Sequence, residues 1–167
     1  MDKVEILQNL EMLQHELKTK KGPPYLGPPE LISIEHDDYH AQYVGRTQQG
    51  QQFFITGPFI ADVNQDRTYL RREFLAVFLF DQAGDLVDSR VEEVSKNSDY
   101  LNLEAKRLAE LGNFEFGGIK VKPFAVEHHG VMMGLIPNKH YGRWWVELLP
   151  GNFMAFHEPW DDGEYDT

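Results

Sequence analysis

His36-Asp37-Asp38-Tyr39-His40 is the densest grouping of side chains suited to metal binding or proton transfer. On a helix, His36 and His40 would share one face, as two zinc ligands four residues apart do. The surrounding period is that of strand and turn, and the glutamate of an H-E-x-x-H motif is missing. In an extended strand the same two histidines would stand about 13 Å apart, too far for one ion. The plainer reading is a solvated turn. Glu127-His128-His129-Gly130 is a second grouping. Neighbouring residues of a strand point to opposite faces, so these histidines share an ion only if a turn brings them round; the plainer reading is an exposed hairpin tip. His157-Glu158 is the third. Brought together in space, His36, His40, His128, His129 and His157 with nearby carboxylates would make a metal or acid–base site.

Other residues suit recognition better than catalysis. Glu158, Asp161, Asp162, Glu164 and Asp166 crowd the last ten positions, interleaved with Trp160 and Tyr165. The spacing does not fit a calcium loop. Acidic tails are usually solvated, but embedded aromatics give this one a means of docking on the body. Docked, its carboxylates would form a fixed negative surface. Tyr141-Gly142-Arg143-Trp144-Trp145 holds the residue types that concentrate in interface hot spots. On a strand, Trp144 and Trp145 face opposite sides, so one belongs to the core and the other lies exposed or under the tail. The candidate binding residues are therefore Arg143, Trp144, Trp145, Trp160, Asp161, Asp162, Glu164, Tyr165 and Asp166.

Absences narrow the chemistry further. The chain has no cysteine, hence no thiol nucleophile, disulfide or thiolate metal site. It has no G-x-G-x-x-G, G-x-x-x-x-G-K-[ST] or G-x-S-x-G motif, and none of its four serines sits in a nucleophile elbow. No cofactor is called for. The formal net charge of −11 repels nucleic-acid phosphates and anionic membranes. The longest apolar run, Phe74 to Phe80, is too short for a membrane helix. The N-terminus does not read as a signal peptide, since it carries Asp2, Glu5 and Glu11 in place of a basic region followed by an apolar run. These features suggest a cytoplasmic protein, non-enzymatic rather than catalytic.

The elements that hold these residues follow from periodicity. Arg72 to Phe80 is apolar on both alternating faces, which predicts a central strand covered on both sides. Asp81-Gln82-Ala83-Gly84-Asp85 turns it into a half-solvated partner ending at Val94. Residues 3–20 predict an amphipathic helix, with Val4, Ile6, Leu7, Leu10, Met12, Leu13 and Leu17 as its apolar stripe. Its closing lysines, Lys18, Lys20 and Lys21, suit the helix dipole. Residues 22–30 read as a Pro/Gly connector, either a linker or a strap anchored by Tyr25 and Leu26. Leu31–Ile34 predicts a strand, and Tyr39–Arg46 with Gln51–Thr56 a hairpin. Ile60–Thr68 reads as a loop. A second helix is expected over 99–111, with Leu101, Ala105, Leu108 and Leu111 inward. After it come Phe114–Phe116, Ile119–Lys122, Phe124–Glu127 with Val131–Ile136, and Trp144–Leu149 with Asn152–Phe156. Gly117-Gly118 would be a bulge or a turn.

Strands joined by tight turns pair antiparallel. The expected fold is α+β in one domain over 1–167: a terminal helix (1–21), the connector (22–30), a twisted or partly closed sheet body with an inserted helix (31–157), and the acidic aromatic tail (158–167). The inserted helix, if it were a crossover, would make the sheet mixed.

Three functions compete. The leading one is an acidic protein-interaction domain for a basic partner, such as an immunity- or antitoxin-like inhibitor of a bacterial toxin; this is an analogy of size and charge. The second is the histidine and carboxylate site, hydrolytic or metal-binding. The third is a small-molecule cavity lined by Phe53, Phe78, Met132 and Trp144. An exposed edge strand would also allow a homodimer.

Overall fold

Strand β5 (Tyr69–Phe80) runs through the middle of a six-stranded antiparallel sheet, as its two apolar faces require. A computed structural model of the chain describes residues 3–19, 27–63, 69–95 and 97–167. The other elements are α1 (Lys3–Thr19), β1 (Ile32–Ile34), β2 (Tyr43–Thr47), β3 (Gln52–Thr56), β4 (Phe59–Val63), β6 (Leu86–Val94), α2 (Asn97–Glu110), β7 (Phe114–Phe116), β8 (Ile119–Val121), β9 (Phe124–His128), β10 (Val131–His140), β11 (Arg143–Leu149) and β12 (Ala155–Phe156).

One edge of β5 carries β3 and β4 in a single unbroken register; the other carries β6. Gly57-Pro58 separates β3 from β4, because proline offers no N–H to the ladder. Pro58 still accepts a 3.0 Å bond from the Phe74 amide. The segment 60–68, read as a loop, is thus partly strand: Ile60 of β4 packs on the core, and residues 64–68 lie outside the described ones. β2 and β7 extend the sheet beyond β3.

Residues alternate strictly across β5. Phe74, Ala76, Phe78 and Phe80 enter the main core with Met133, Leu135, Val146, Leu148 and Phe156 of a second, four-stranded sheet ordered β12-β11-β10-β9. Leu75 and Val77 turn the other way and join Phe53 and Ile55 beneath α2, where Tyr100, Leu103, Leu108 and Leu111 cover them. A helix, a sheet and a second sheet therefore form three layers, a two-cored α+β arrangement. Every strand pairing among the described residues is antiparallel, so α2 is not a parallel crossover.

The cavity expected from Phe53, Phe78, Met132 and Trp144 does not form. Phe53 and Phe78 are fully buried on opposite faces of one sheet, and Met132 is 52 % exposed while its neighbour Met133 fills the core. α2 is also rotated from its expected orientation. Leu101 is exposed, as is Ala105, and the packed stripe takes in Glu104 and Arg107 instead. Arg107, only 4 % exposed, reaches across to Glu92 of β6 and to Glu110, so an ion pair docks the helix where an apolar contact was expected.

Gly117-Gly118 is a turn that hands the chain from β7 to β8, which pairs with β1 as a small ribbon. Gln52 ties this ribbon to the central sheet. Its buried amide donates to Asp81 O at 2.9 Å and Lys120 O at 2.8 Å, and accepts from the Lys120 amide at 2.7 Å. In the second sheet, His129-Gly130 and Tyr141-Gly142 close two-residue hairpins with positive φ at both residues (54° and 74°, 51° and 76°), as the primed turns demand. β10 continues past Ile136 to His140; β9 stops opposite Leu135, so Pro137 lies on an open edge where its missing N–H is tolerated.

α1 forms as expected, but Val4, Ile6, Leu7 and Leu10 remain between 43 and 61 % exposed. Tyr25, Leu26, Lys20 and Lys21 lie outside the described residues. No described helix is long and apolar enough to cross a membrane.

Candidate functional site: the tail face and its two clefts

The C-terminal tail docks on the body along an edge that the strands leave open. The Ser33 amide of β1 donates to Trp160 O at 2.8 Å, and Ala155 and Asp166 exchange backbone bonds of 2.9 and 2.8 Å. Trp160 and Tyr165 pack against the main core. Gly163 makes this approach sterically feasible: at φ 75° it lies so close to Glu35 that an added Cβ would meet the Glu35 backbone nitrogen at 2.8 Å.

The turn at 36–40 receives the tail. Asp37 Oδ1 accepts the amides of Tyr39 (2.8 Å) and Ala41 (2.9 Å), the self-capping habit of aspartate in turns. Its other oxygen accepts the Tyr165 hydroxyl at 2.5 Å, and the Tyr165 oxygen takes the His40 amide at 3.2 Å. Partial burial pushes the Asp37 carboxyl up, but the Tyr165 hydroxyl and the two amides outweigh it and hold the group below its ordinary range. Burial and the Asp37 bond push Tyr165 up to about 12. His40 is lowered by burial, against the pull of Asp37, so its ring is neutral at neutral pH.

Two clefts flank Tyr39. The outer is an open groove of about 550 Å³ lined by Glu35, Asp37, Asp162, Glu164 and Asp166, with Tyr39, His157 and Tyr165; no Lys or Arg is among its lining residues. The inner is a cleft of about 280 Å³. One wall is aromatic. Tyr39 stacks on His40 (centroids 3.8 Å apart), His40 meets Phe153 at a tilt (4.8 Å) and Phe153 stacks on Phe59 (5.8 Å), with the Arg71 guanidinium 4.2 Å over Phe59. The other wall holds Tyr43, Thr56, Tyr100 and Glu104. Both phenols hydrogen-bond Glu104, and burial followed by that negative charge raises the pKa of each.

No protein-family model, curated protein or solved structure matches the chain.

The structure disperses the histidines. His36 stacks on Phe116 at 5.2 Å. His128 Nε2 lies 2.8 Å from Ser89 Oγ, and His129 Nε2 lies 2.9 Å from Val91 O, so both rings brace the β9–β10 turn against β6. His157 lies against Trp145 (5.0 Å), with Nε2 3.7 Å from Asp166. Among the described residues, no three His, Asp or Glu side chains gather as a metal would need. The convergence proposed for His36, His40, His128, His129 and His157 does not occur, because each ring is engaged at its own seam of the fold. Ser89 and His128 are spaced like a nucleophile and its base, but neither lines the clefts around Tyr39.

Of the residues singled out for binding, Asp162, Glu164, Tyr165 and Asp166 line the outer groove. Arg143 borders them, its guanidinium 5.6 Å over Trp145 and 3.5 Å from His157. Trp160 is turned inward, and Asp161 is exposed beyond the lining residues. Trp144 lies on the opposite face, under Lys139 at 5.8 Å. Neither Trp144 nor Trp145 is a core residue. The inner cleft was not foreseen. Its signal is the stripe Tyr100, Glu104, Arg107, Leu108, Leu111 at helical spacing, which carries two charges and so reads as solvated.

Proposed function

We propose that this chain is a non-catalytic interaction domain that holds a basic protein partner in the groove formed by its docked tail. One observation carries the reading: five carboxylates surround one open groove whose lining has no Lys or Arg. Fixing them there costs charge repulsion that a solvated tail would avoid, and a cationic partner would relieve it. Tyr39 and Tyr165 at the same groove add the aromatic surface that interfaces favour. A net charge of −11 would speed encounter with a basic surface and orient it. In this reading the protein acts in the cytoplasm as an inhibitor, in the manner of an immunity protein that covers a basic active site.

The test is a comparison of the wild type with a variant carrying Glu164→Lys and Asp166→Lys, both immobilised and exposed to extract from the native host. The expected result is one basic protein retained in stoichiometric amount by the wild type, released by salt and not retained by the variant. Retention of no such protein, or equal retention by both, overturns the proposal.

A further inference from the structure

We infer that the inner cleft is a recognition pocket for one alkylguanidinium or alkylammonium group, with Glu104 as its counter-ion. Glu104 is only 9 % exposed. A buried carboxylate without a cation is expensive, so such groups are normally paired. Among the described residues, the nearby cations are committed elsewhere. Arg71 bonds Glu73 at 2.7 Å while lying over Phe59, and Arg107, one turn along α2, is held by Glu92 and Glu110. Among the described residues, Glu104 is left with two neutral donors, the hydroxyls of Tyr43 and Tyr100. A carboxylate has about four acceptor positions, so two remain after the phenols are served. Glu104 lines the cleft, which gives a ligand access to them.

The rest of the cleft fits the same ligand. The rings of Tyr39, His40, Phe153 and Phe59 pack on one another and give the cleft an apolar wall for the ligand's alkyl stem. Arg71 over Phe59 shows that this wall accepts a guanidinium. Gln42 and Thr56 supply further polar positions. At about 280 Å³ the space is at the small end of ligand sites, enough for one head group and a short alkyl stem. The inference does not depend on the partner proposed above. Tyr39 lines both clefts, so the cation could arrive as a free small molecule or as an Arg or Lys side chain of a protein seated in the outer groove.

The experiment is a two-dimensional amide NMR titration of the full chain with n-propylguanidinium and with n-propylurea, which has the same shape and no charge. Saturable shifts clustered at Gln42, Tyr43, Thr56, Gly57, Tyr100 and Glu104 are expected for the guanidinium alone. Glu104→Gln keeps an acceptor for both phenols and removes the charge; it should weaken guanidinium binding about tenfold or more. Equal shifts with the urea, or shifts elsewhere only, overturn the inference. Because the urea comparison uses the wild type, it stands even if Glu104→Gln fails to fold. An arginine-containing hexapeptide forms the third arm. Binding about tenfold tighter than the free cation assigns the pocket to a protein side chain; equal or weaker binding assigns it to a small molecule. Pocket binding without any retained protein would leave this inference standing and remove the partner reading.

Discussion

Asp37 and Tyr165 tie the tail to the 36–40 turn by a 2.5 Å hydrogen bond, and their chemistry makes this attachment pH-dependent on both sides. Asp37 has a folded pKa below its ordinary 3.8, so its contribution is complete above that value and is lost as pH falls below it. His40, whose amide bonds the Tyr165 oxygen, is lowered from 6.5, so folding favours its neutral ring and weakens as pH falls below 6.5. Tyr165 is raised from 10.0 to about 12, so its contribution is complete below 10.0 and disappears as pH rises to about 12. The tail should therefore loosen in two acid steps and one alkaline step, read as changes in Trp160 fluorescence. Tyr165→Phe should abolish the alkaline step assigned to this phenol and cost about 1–3 kcal/mol, since it removes a hydrogen bond to a charged group. An unchanged urea midpoint and an unchanged alkaline profile would show that the phenol does not hold the tail. Gly163→Ala should release the same segment by sterics, because its Cβ has no room beside Glu35. The docked tail was foreshadowed by Trp160 and Tyr165, two aromatics in an otherwise solvent-seeking stretch. Glu104 was hidden, since a charged residue on a helix reads as solvated unless the positions around it are known to be covered.

The elements divide into those specified by apolar period and those fixed by polar side chains, and only the first kind is legible in a single sequence. β5 announced its central position through two apolar faces, and the β5–β6, β2–β3 and β9–β10 hairpins through turns and alternation. β4 was missed because Asp62 and the polar residues after it obscure a strand whose visible packing rests on Ile60. α2 was placed along the chain but turned the wrong way, because its docking runs through Arg107 rather than through leucines alone. This gives a test of the polar joints. Arg107→Met, which keeps the stem and deletes the charge, should cost about 1–3 kcal/mol: Glu92 and Glu110 are 35 and 45 % exposed and can resolvate, so the larger penalty of an orphaned buried ion does not apply. Gln52→Leu should cost about 1–3 kcal/mol, because it removes the acceptor of the Lys120 amide and a donor from the Lys120 and Asp81 carbonyls, of which Asp81 O keeps its 3.1 Å bond from the Gly84 amide. Hydrogen exchange would separate the two: α2 amides should open first in the arginine variant, and those of β1 and β8 in the glutamine variant. Loss confined to neither element would mean that these side chains are not the joints described.

For the whole molecule the question is whether charge acts through its total or through its placement. A net charge of −11 attracts any basic protein at long range, but the Debye length at physiological salt is about 8 Å, so only carboxylates near the contact retain strength there. The outer groove gathers such carboxylates at the β12 edge of the four-stranded sheet, while Glu127 on β9 and Asp88 on β6 lie across the molecule. Two double variants of identical net charge isolate the effect: Glu164→Lys with Asp166→Lys in the groove, and Asp88→Lys with Glu127→Lys far from it. All four side chains are exposed, so neither pair should disturb the core. With the basic partner retained by the wild type, stopped-flow association at physiological salt should slow about tenfold or more for the groove variant and by no more than about twofold for the distant one. At low salt the two variants should converge, as the longer screening length lets distant charges act. Equal slowing at every ionic strength would mean that total charge governs the encounter and that the docked tail has no special part in it. A difference between the variants that grows with salt would place the contact at the groove, because a screened field leaves local charge as the only source of discrimination.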